Sequence, residues 1–343
     1  MHVNVAIVGL DRLGASFGLA LKRYQEQPRA EHTFNIIGCD SKAHPMKEAH
    51  KMGAIDNFNR ALLKATENAD LIILNAAYGV TEETYTRLGP ALKPGAVVLD
   101  TSQHKQAAIE WASRHFTAND SGRQLAYLVG IMPVINVSAL YDANQEVEAA
   151  RADLFDNGEV LIAPDTKCPS EAIALAEDVV RLIGSKPRFI DPIEHDGLIA
   201  ATEGLPTLLG AALFYTLQQS EGWTELRRMV NPTLALAVQA LRYQSQEDLL
   251  ALFTQNRDNL TRHLESLIGM LDQVHDALLD TAEPEKLEAF LAMAQSEWEK
   301  WDVKRHSGKW EDIKEPETLP GPFGSVGGFL SMSRRKPKDE DED

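Results

Sequence analysis

The sequence predicts a doubly wound parallel α/β sheet followed by an all-helical region. Three observations carry that reading. Short apolar runs alternate with helical patterns from Val3 to Ile190, a glycine-rich turn joins the first run to the first helix, and no strand signal remains after Ile193. Strands alternating with helices of this length build parallel sheets with helices on both faces.

Val3, Val5, Ile7 and Val8 form an apolar run closed by Gly9, the pattern of a buried parallel strand. Leu13, Phe17, Leu19, Ala20 and Leu21 then fall at helical spacings, and Phe34–Cys39 is a second strand that runs to Asp40. Pro45–Met52 reads as a short helix. Leu71–Asn75 and Ala96–Leu99 read as strands around a helix at Thr81–Leu92, with Pro94-Gly95 as a turn. Gln103–Phe116 is a helix and Leu125–Val129 a strand. Val160–Ala163 and Arg188–Ile190, separated by a helix at Pro169–Ile183, extend the same sheet.

Beyond Ile193 the pattern is helical. Asp196 is expected to cap a long helix reaching Ser220, Asn231-Pro232 is a cap with proline at the first helical position, and Ser245–Asp248 resembles a capping box. That last helix is expected to reach Leu279. Its Leu260, Leu264, Leu267, Leu271, Val274 and Leu278 alternate four and three apart, a seam for packing against another helix. A final helix spans Pro284–Trp301. The expected domains are 1–192, 193–302 and a disordered tail, 303–343, rich in proline and glycine and ending in acids. Within it, Gly327–Leu330 and Arg334–Lys336 are a candidate docking segment, with a solvated tail the blander reading.

Composition bounds the function. A net charge of −17 over 343 residues disfavours nucleic acid and anionic membranes as partners. Two cysteines, Cys39 and Cys168, make no disulfide framework and suit a reducing cytoplasm. No apolar run is expected to reach the roughly 18 residues that span a bilayer, and no metal-ligand pattern stands out.

The chemistry gathers at the first turn, Gly9-Leu10-Asp11-Arg12-Leu13-Gly14, with Asp40 at the end of the second strand. In Rossmann-type dinucleotide folds the helix start presents N–H groups to a pyrophosphate, and an acid after the second strand bonds the ribose. Strand ends at Ala76 and Ser102 complete the expected cofactor side. Asp11 stands where the middle glycine belongs. A charge there, about 4 Å from a phosphate at an effective dielectric near 20, repels by ~4 kcal/mol. Arg12 or a rotamer turned away would relieve it.

The blocks Gly9–Lys22, Ile36–Asp40, Ala69–Ala77, Pro94–Lys105 and Glu194–Pro206 together resemble the prephenate/arogenate dehydrogenase family over residues 3 to 302. The resemblance implies NAD(P)-dependent oxidative decarboxylation of prephenate or arogenate toward tyrosine, in dimers built through the helical region. A family histidine acts on the ring hydroxyl. This chain departs from that pattern. Gly130-Ile131-Met132-Pro133 puts Met132 at the histidine's place, and Glu203-Gly204-Leu205-Pro206-Thr207 lacks the family's serine and both substrate-side histidines. Gln103 replaces the family serine before the lysine. Arg228 matches a family arginine and is the candidate carboxylate binder. His104, in the loop expected to face the nicotinamide, and Glu203 are the candidate replacement bases. The His195-Asp196 pair reads as a helix cap and hinge contact, with a cofactor-side role as the alternative. NAD is expected over NADP because Asp40 would repel a 2′-phosphate. The competing reading is an inactive or repurposed dimer that serves as a binding or regulatory module.

Overall fold

The chain enters an eight-stranded sheet at its middle and fills it outward, in the order β3-β2-β1-β4-β5-β6-β7-β8. The structure is a computed structural model that describes residues 1–310 apart from 121, 123, 143 and 282. The strands are β1 (His2–Val8), β2 (Thr33–Cys39), β3 (Asn57–Phe58), β4 (Leu71–Leu74), β5 (Val97–Asp100), β6 (Tyr127–Val134), β7 (Glu159–Pro164) and β8 (Lys186–Phe189). Every pairing is parallel except β6 with β7. The expected doubly wound sheet is therefore present, with one antiparallel pair. That pairing lengthens β6 to Val134, beyond the Val129 expected. β3, two exposed residues beside Ile37 and Gly38, had no apolar signal to announce it.

Between the strands lie α1 (Arg12–Gln25), α2 (Ala43–Lys51), α3 (Leu62–Thr66), α4 (Glu82–Leu88), α5 (Lys105–His115) and α6 (Ser170–Leu182). Alternation along the strands sends Val5, Ile7, Leu71 and Ile73 into a core with Phe17 and Leu21 of α1. It sends Ala6, Val8, Ile72 and Leu74 into the opposite core with Tyr85 and Leu88 of α4.

The helical region comprises α7 (Pro192–Ile199), α8 (Leu205–Gln218), α9 (Trp223–Leu226), α10 (Pro232–Ala237), α11 (Ala240–Tyr243), α12 (Gln246–Thr254), α13 (Arg257–Leu279) and α14 (Glu285–Ser307). A π turn at Ala200–Gly204 joins α7 to α8. The cap of α7 is Asp191 rather than Asp196; its carboxylate accepts from the Ile193 and Glu194 N–H groups, because the helix starts at Pro192, four residues before Asp196. The helix after Ser245 also breaks, at Asn256, into α12 and α13. The Ser245–Asp248 capping box forms. The continuous helix Pro192–Gln218 is long and apolar enough to cross a bilayer by length and composition, contrary to the expectation that no segment would be. Residues Met1–Pro284 form one compact unit; α14 belongs to a second, beginning at Glu285. It extends into the expected tail as far as Ser307, and the docking segment at 327–336 lies outside the described residues.

Candidate functional site: the glycine-rich turn and the α5–α7 contact

The strand order reverses between β1 and β4, and the crevice beyond their carboxyl ends is where such sheets take ligands. Gly9 closes β1 at φ +91°, and a Cβ there would lie 2.7 Å from the Asn75 carbonyl oxygen. A Cβ on Gly14 would lie 1.9 Å from the Gly9 carbonyl oxygen. The outer two glycines thus let α1 cross β1 and β4 closely, as the motif requires.

Asp11 does something else. Its carboxylate turns back onto its own helix, accepting from the Gly14 N–H at 3.0 Å and from the Asn75 side-chain amide at 2.7 Å. Asn75 is buried and is itself fixed by the Thr101 hydroxyl at 2.9 Å. Burial raises the Asp11 pKa, with Asp40's charge adding to it, against the hydrogen bonds from Gly14 and Asn75. The expected relief through a turned rotamer occurs. Relief through Arg12 does not, because that guanidinium points elsewhere. It is buried, donates to the Asp142 and Asn144 carbonyl oxygens at 2.7 and 3.2 Å, and lies 3.1 Å from the Asp142 carboxylate.

The remaining cofactor-side candidates are likewise engaged. Asp40 is buried, and its two oxygens accept from the Leu10 and Lys42 N–H groups at 2.9 and 2.8 Å. Leu10 is wholly buried, Leu13 partly so, and Ala76 is exposed just after β4. A dinucleotide needs free donors on α1, and the Arg12, Leu13 and Gly14 N–H groups are already taken; Asp40 accepts one N–H on each oxygen and keeps room for a ribose hydroxyl, so it is the diphosphate half of the group that the residues present do not fit.

A second cluster forms where α5 meets α7. Asp196 takes the Lys105 N–H at 2.8 Å and the Gln106 N–H at 3.1 Å, so it caps α5 rather than its own helix. It also meets His195 Nδ1 at 3.1 Å. Burial pushes the Asp196 carboxyl up, but His195 and the two N–H groups outweigh it and the net shift is down. His104 and His195 are 7% and 1% exposed, and burial lowers both their pKa values, which keeps them neutral at pH 7. Both ring nitrogens of His104, Nε2 of His195 and the Ser102 hydroxyl have no hydrogen-bond partner among the described residues. Lys105 is fully buried, with its pKa brought down to about 8 by burial; its ammonium donates to the carbonyls of Asp100, Ser102 and Ile131.

The other candidates stand apart from this cluster. Glu203 lies in the π turn, keeps solvent access and has no ion pair, with Arg228 or any other cation, among the described residues. Crowding around its carboxyl raises its pKa through desolvation alone. Arg228 is exposed and pairs with Glu225 at 3.2 Å. Met132 lies on β6 opposite Leu161. A surface groove lined by Gln106, Asp165, Phe189, Asp191 and Ile193 includes none of the candidates. Sequence reading missed Asp196 as the cap of α5, Asn75 as the brace of Asp11, and the segment carrying Asp142, Asn144 and Gln145. No local pattern marks contacts between residues so far apart in the chain.

The fold and the order of its motifs are those of the nucleotide-binding α/β dehydrogenases. The family model "prephenate dehydrogenase, nucleotide-binding domain" matches residues 17–188, half of the chain, and the protein belongs to that family. The matched span begins inside α1, past the turn that carries Asp11. The cyclohexadienyl dehydrogenase of Zymomonas mobilis is 24% identical over 210 residues, 61% of this chain and 66% of that protein, just under two thirds of its length. Among solved structures, the fold is shared with the Aquifex aeolicus prephenate dehydrogenase in complex with hydroxyphenyl propionate and NAD+ (TM-score 0.68, 20% identity, 87% of this chain and 98% of that one). It is shared also with Synechocystis arogenate dehydrogenase (TM-score 0.61, 22% identity, 87% and 99%).

Proposed function

We propose that this chain is a repurposed member of the prephenate dehydrogenase family that works as a dimeric binding or regulatory module without transferring a hydride. Met132 carries the reading. Where the family resemblance asks for a histidine, Met132 stands within β6, and its thioether has no proton to exchange and accepts only weakly. The histidines nearby, His104 and His195, are buried and neutral, the second fixed by Asp196. A second copy is the proposed partner. Leu213, Phe214 and Tyr215 on α8 are exposed, and so are Ile268, Leu271 and Leu278 on α13. The leucine seam of α13 is buried at Leu260 and open by Leu278, so one chain covers only its first turns. The two free cysteines support a cytoplasmic location. The test is NADH formation from prephenate and from arogenate. The reading expects none above background, and turnover at an ordinary enzymatic rate contradicts it.

One observation favours a second reading, an active NAD-dependent oxidoreductase on prephenate or arogenate. His104 presents two unpartnered ring nitrogens at the start of α5 and would serve as the base, with Glu203 as its alternative and Arg228 gripping a carboxylate. The names of the Zymomonas and Synechocystis proteins and the NAD+ of the Aquifex complex support this cofactor and substrate class. Under it NAD is preferred to NADP through Asp40. Loss of turnover in His104→Ala with unchanged cofactor affinity is its expected signature; NADP bound more tightly than NAD removes the cofactor half.

A further inference from the structure

The first N–H groups of an α-helix have no partner within the helix, which is why helix starts in dinucleotide folds are seats for a diphosphate. On α1 these groups are already taken. The Arg12 N–H donates to the Gln145 carbonyl oxygen at 3.0 Å. The Gly14 N–H donates to Asp11 Oδ1 at 3.0 Å, and the Leu13 N–H lies against the same carboxylate. The occupant is held from two sides. Asn75 braces Asp11 from the end of β4, and the segment after β6 is tied down through the buried guanidinium of Arg12 by two carbonyls and the Asp142 carboxylate.

We propose that the dinucleotide seat of this chain is closed from within, with the Asp11 carboxylate standing in for the diphosphate on α1 and the Asp142–Asn144–Gln145 contacts holding it shut. The native protein accordingly does not take NAD or NADP through α1. This differs from simple repulsion by a misplaced charge. Repulsion needs only the charge; a closed seat needs an oxygen on the Gly14 N–H and a carbonyl on the Arg12 N–H. An asparagine at position 11 keeps a side-chain oxygen for Gly14 and for Asn75 while removing the charge, so it separates the two causes. The proposal is independent of Met132: a chain that binds NAD+ yet produces no NADH overturns the closed seat and leaves the non-catalytic reading standing.

The experiment is a calorimetric titration of the full chain with NAD+ and with NADP+, on the native protein, on Asp11→Asn, and on Asp11→Gly combined with Asp142→Ala. Thermal unfolding of each variant runs in parallel. The native protein and Asp11→Asn are expected to show no saturable binding at millimolar nucleotide, and the double variant to bind at least about tenfold below that limit, a gain near 1.4 kcal/mol. Micromolar binding by the native chain overturns the proposal. So does Asp11→Asn binding as tightly as the double variant, or a folded double variant with no gain. Should a variant not fold, hydrogen exchange on the native protein decides: slow exchange of the Arg12 and Gly14 amides without ligand is expected, and exchange at the rate of an open helix start is the contrary result.

Discussion

Asp196 joins two helices through one carboxylate. It caps α5 through the Lys105 and Gln106 N–H groups and meets His195, while its own carbonyl accepts from the Asn256 side chain between α12 and α13. Asp196→Ala is expected to cost about 0.5–2 kcal/mol, the range for a lost cap, measured by urea unfolding. Its folded pKa lies below the ordinary 3.8, so this contribution is present above that pH and is lost as the pH falls through the folded value. His104 and His195, both shifted below 6.5, act earlier. The unfolded chain binds their protons first, so native stability is expected to fall as the pH drops from about 7 to about 5. His104→Leu should flatten that decline; an unchanged slope contradicts the assignment. The oddity of Asp11 was legible in the sequence from the glycine pattern. The direction of its side chain was not, because its brace, Asn75, lies 64 residues away and no local spacing reports it. The sequence places His195 and Asp196 at the cap of the long helix; in the structure both lie inside α7, and His195 reaches the start of α5 only through Asp196.

Among elements, β5 and β6 are tied by Lys105. Its ammonium meets the carbonyl of Asp100 at the end of β5 and that of Ile131 in the middle of β6, and Gly130 makes room for its stem, since a Cβ there would lie 2.7 Å from Lys105 Cδ. Lys105→Met keeps the stem and leaves buried carbonyls unpaired, so a loss of about 1–3 kcal/mol is expected in denaturant unfolding. The lowered lysine pKa sets the sign on the alkaline side. Between about 8 and 10.5 the unfolded chain holds the proton that the folded one releases, so native stability rises with pH across that window and the gain disappears in Lys105→Met. The strands with strong apolar runs, β1, β2, β4 and β5, were readable because burial on both faces of a parallel sheet demands such runs. β3 was not, being two exposed residues. The helix after Ser245 was read as continuous because its apolar period runs on through Asn256, whose buried side chain turns instead to the Asp196 carbonyl.

At the scale of the whole molecule, the fold of a nucleotide-binding dehydrogenase is kept while its seat is filled by the chain's own groups. The open stretch of the α13 seam belongs to this scale. A homodimer is expected by light scattering at micromolar concentration, and Leu271→Glu with Leu278→Glu is expected to give a folded monomer, since charges placed on a shared apolar face oppose association. A native monomer at that concentration contradicts the dimer. The family was legible from motif order, but the state of the site was not, because it depends on contacts between α1 and the segment after β6 that no motif encodes. The most direct measurement of the central claim is a calorimetric titration of the native, full-length protein with NAD+. No saturable heat up to millimolar nucleotide is the result the closed seat predicts, and a dissociation constant in the micromolar range is the result that contradicts it.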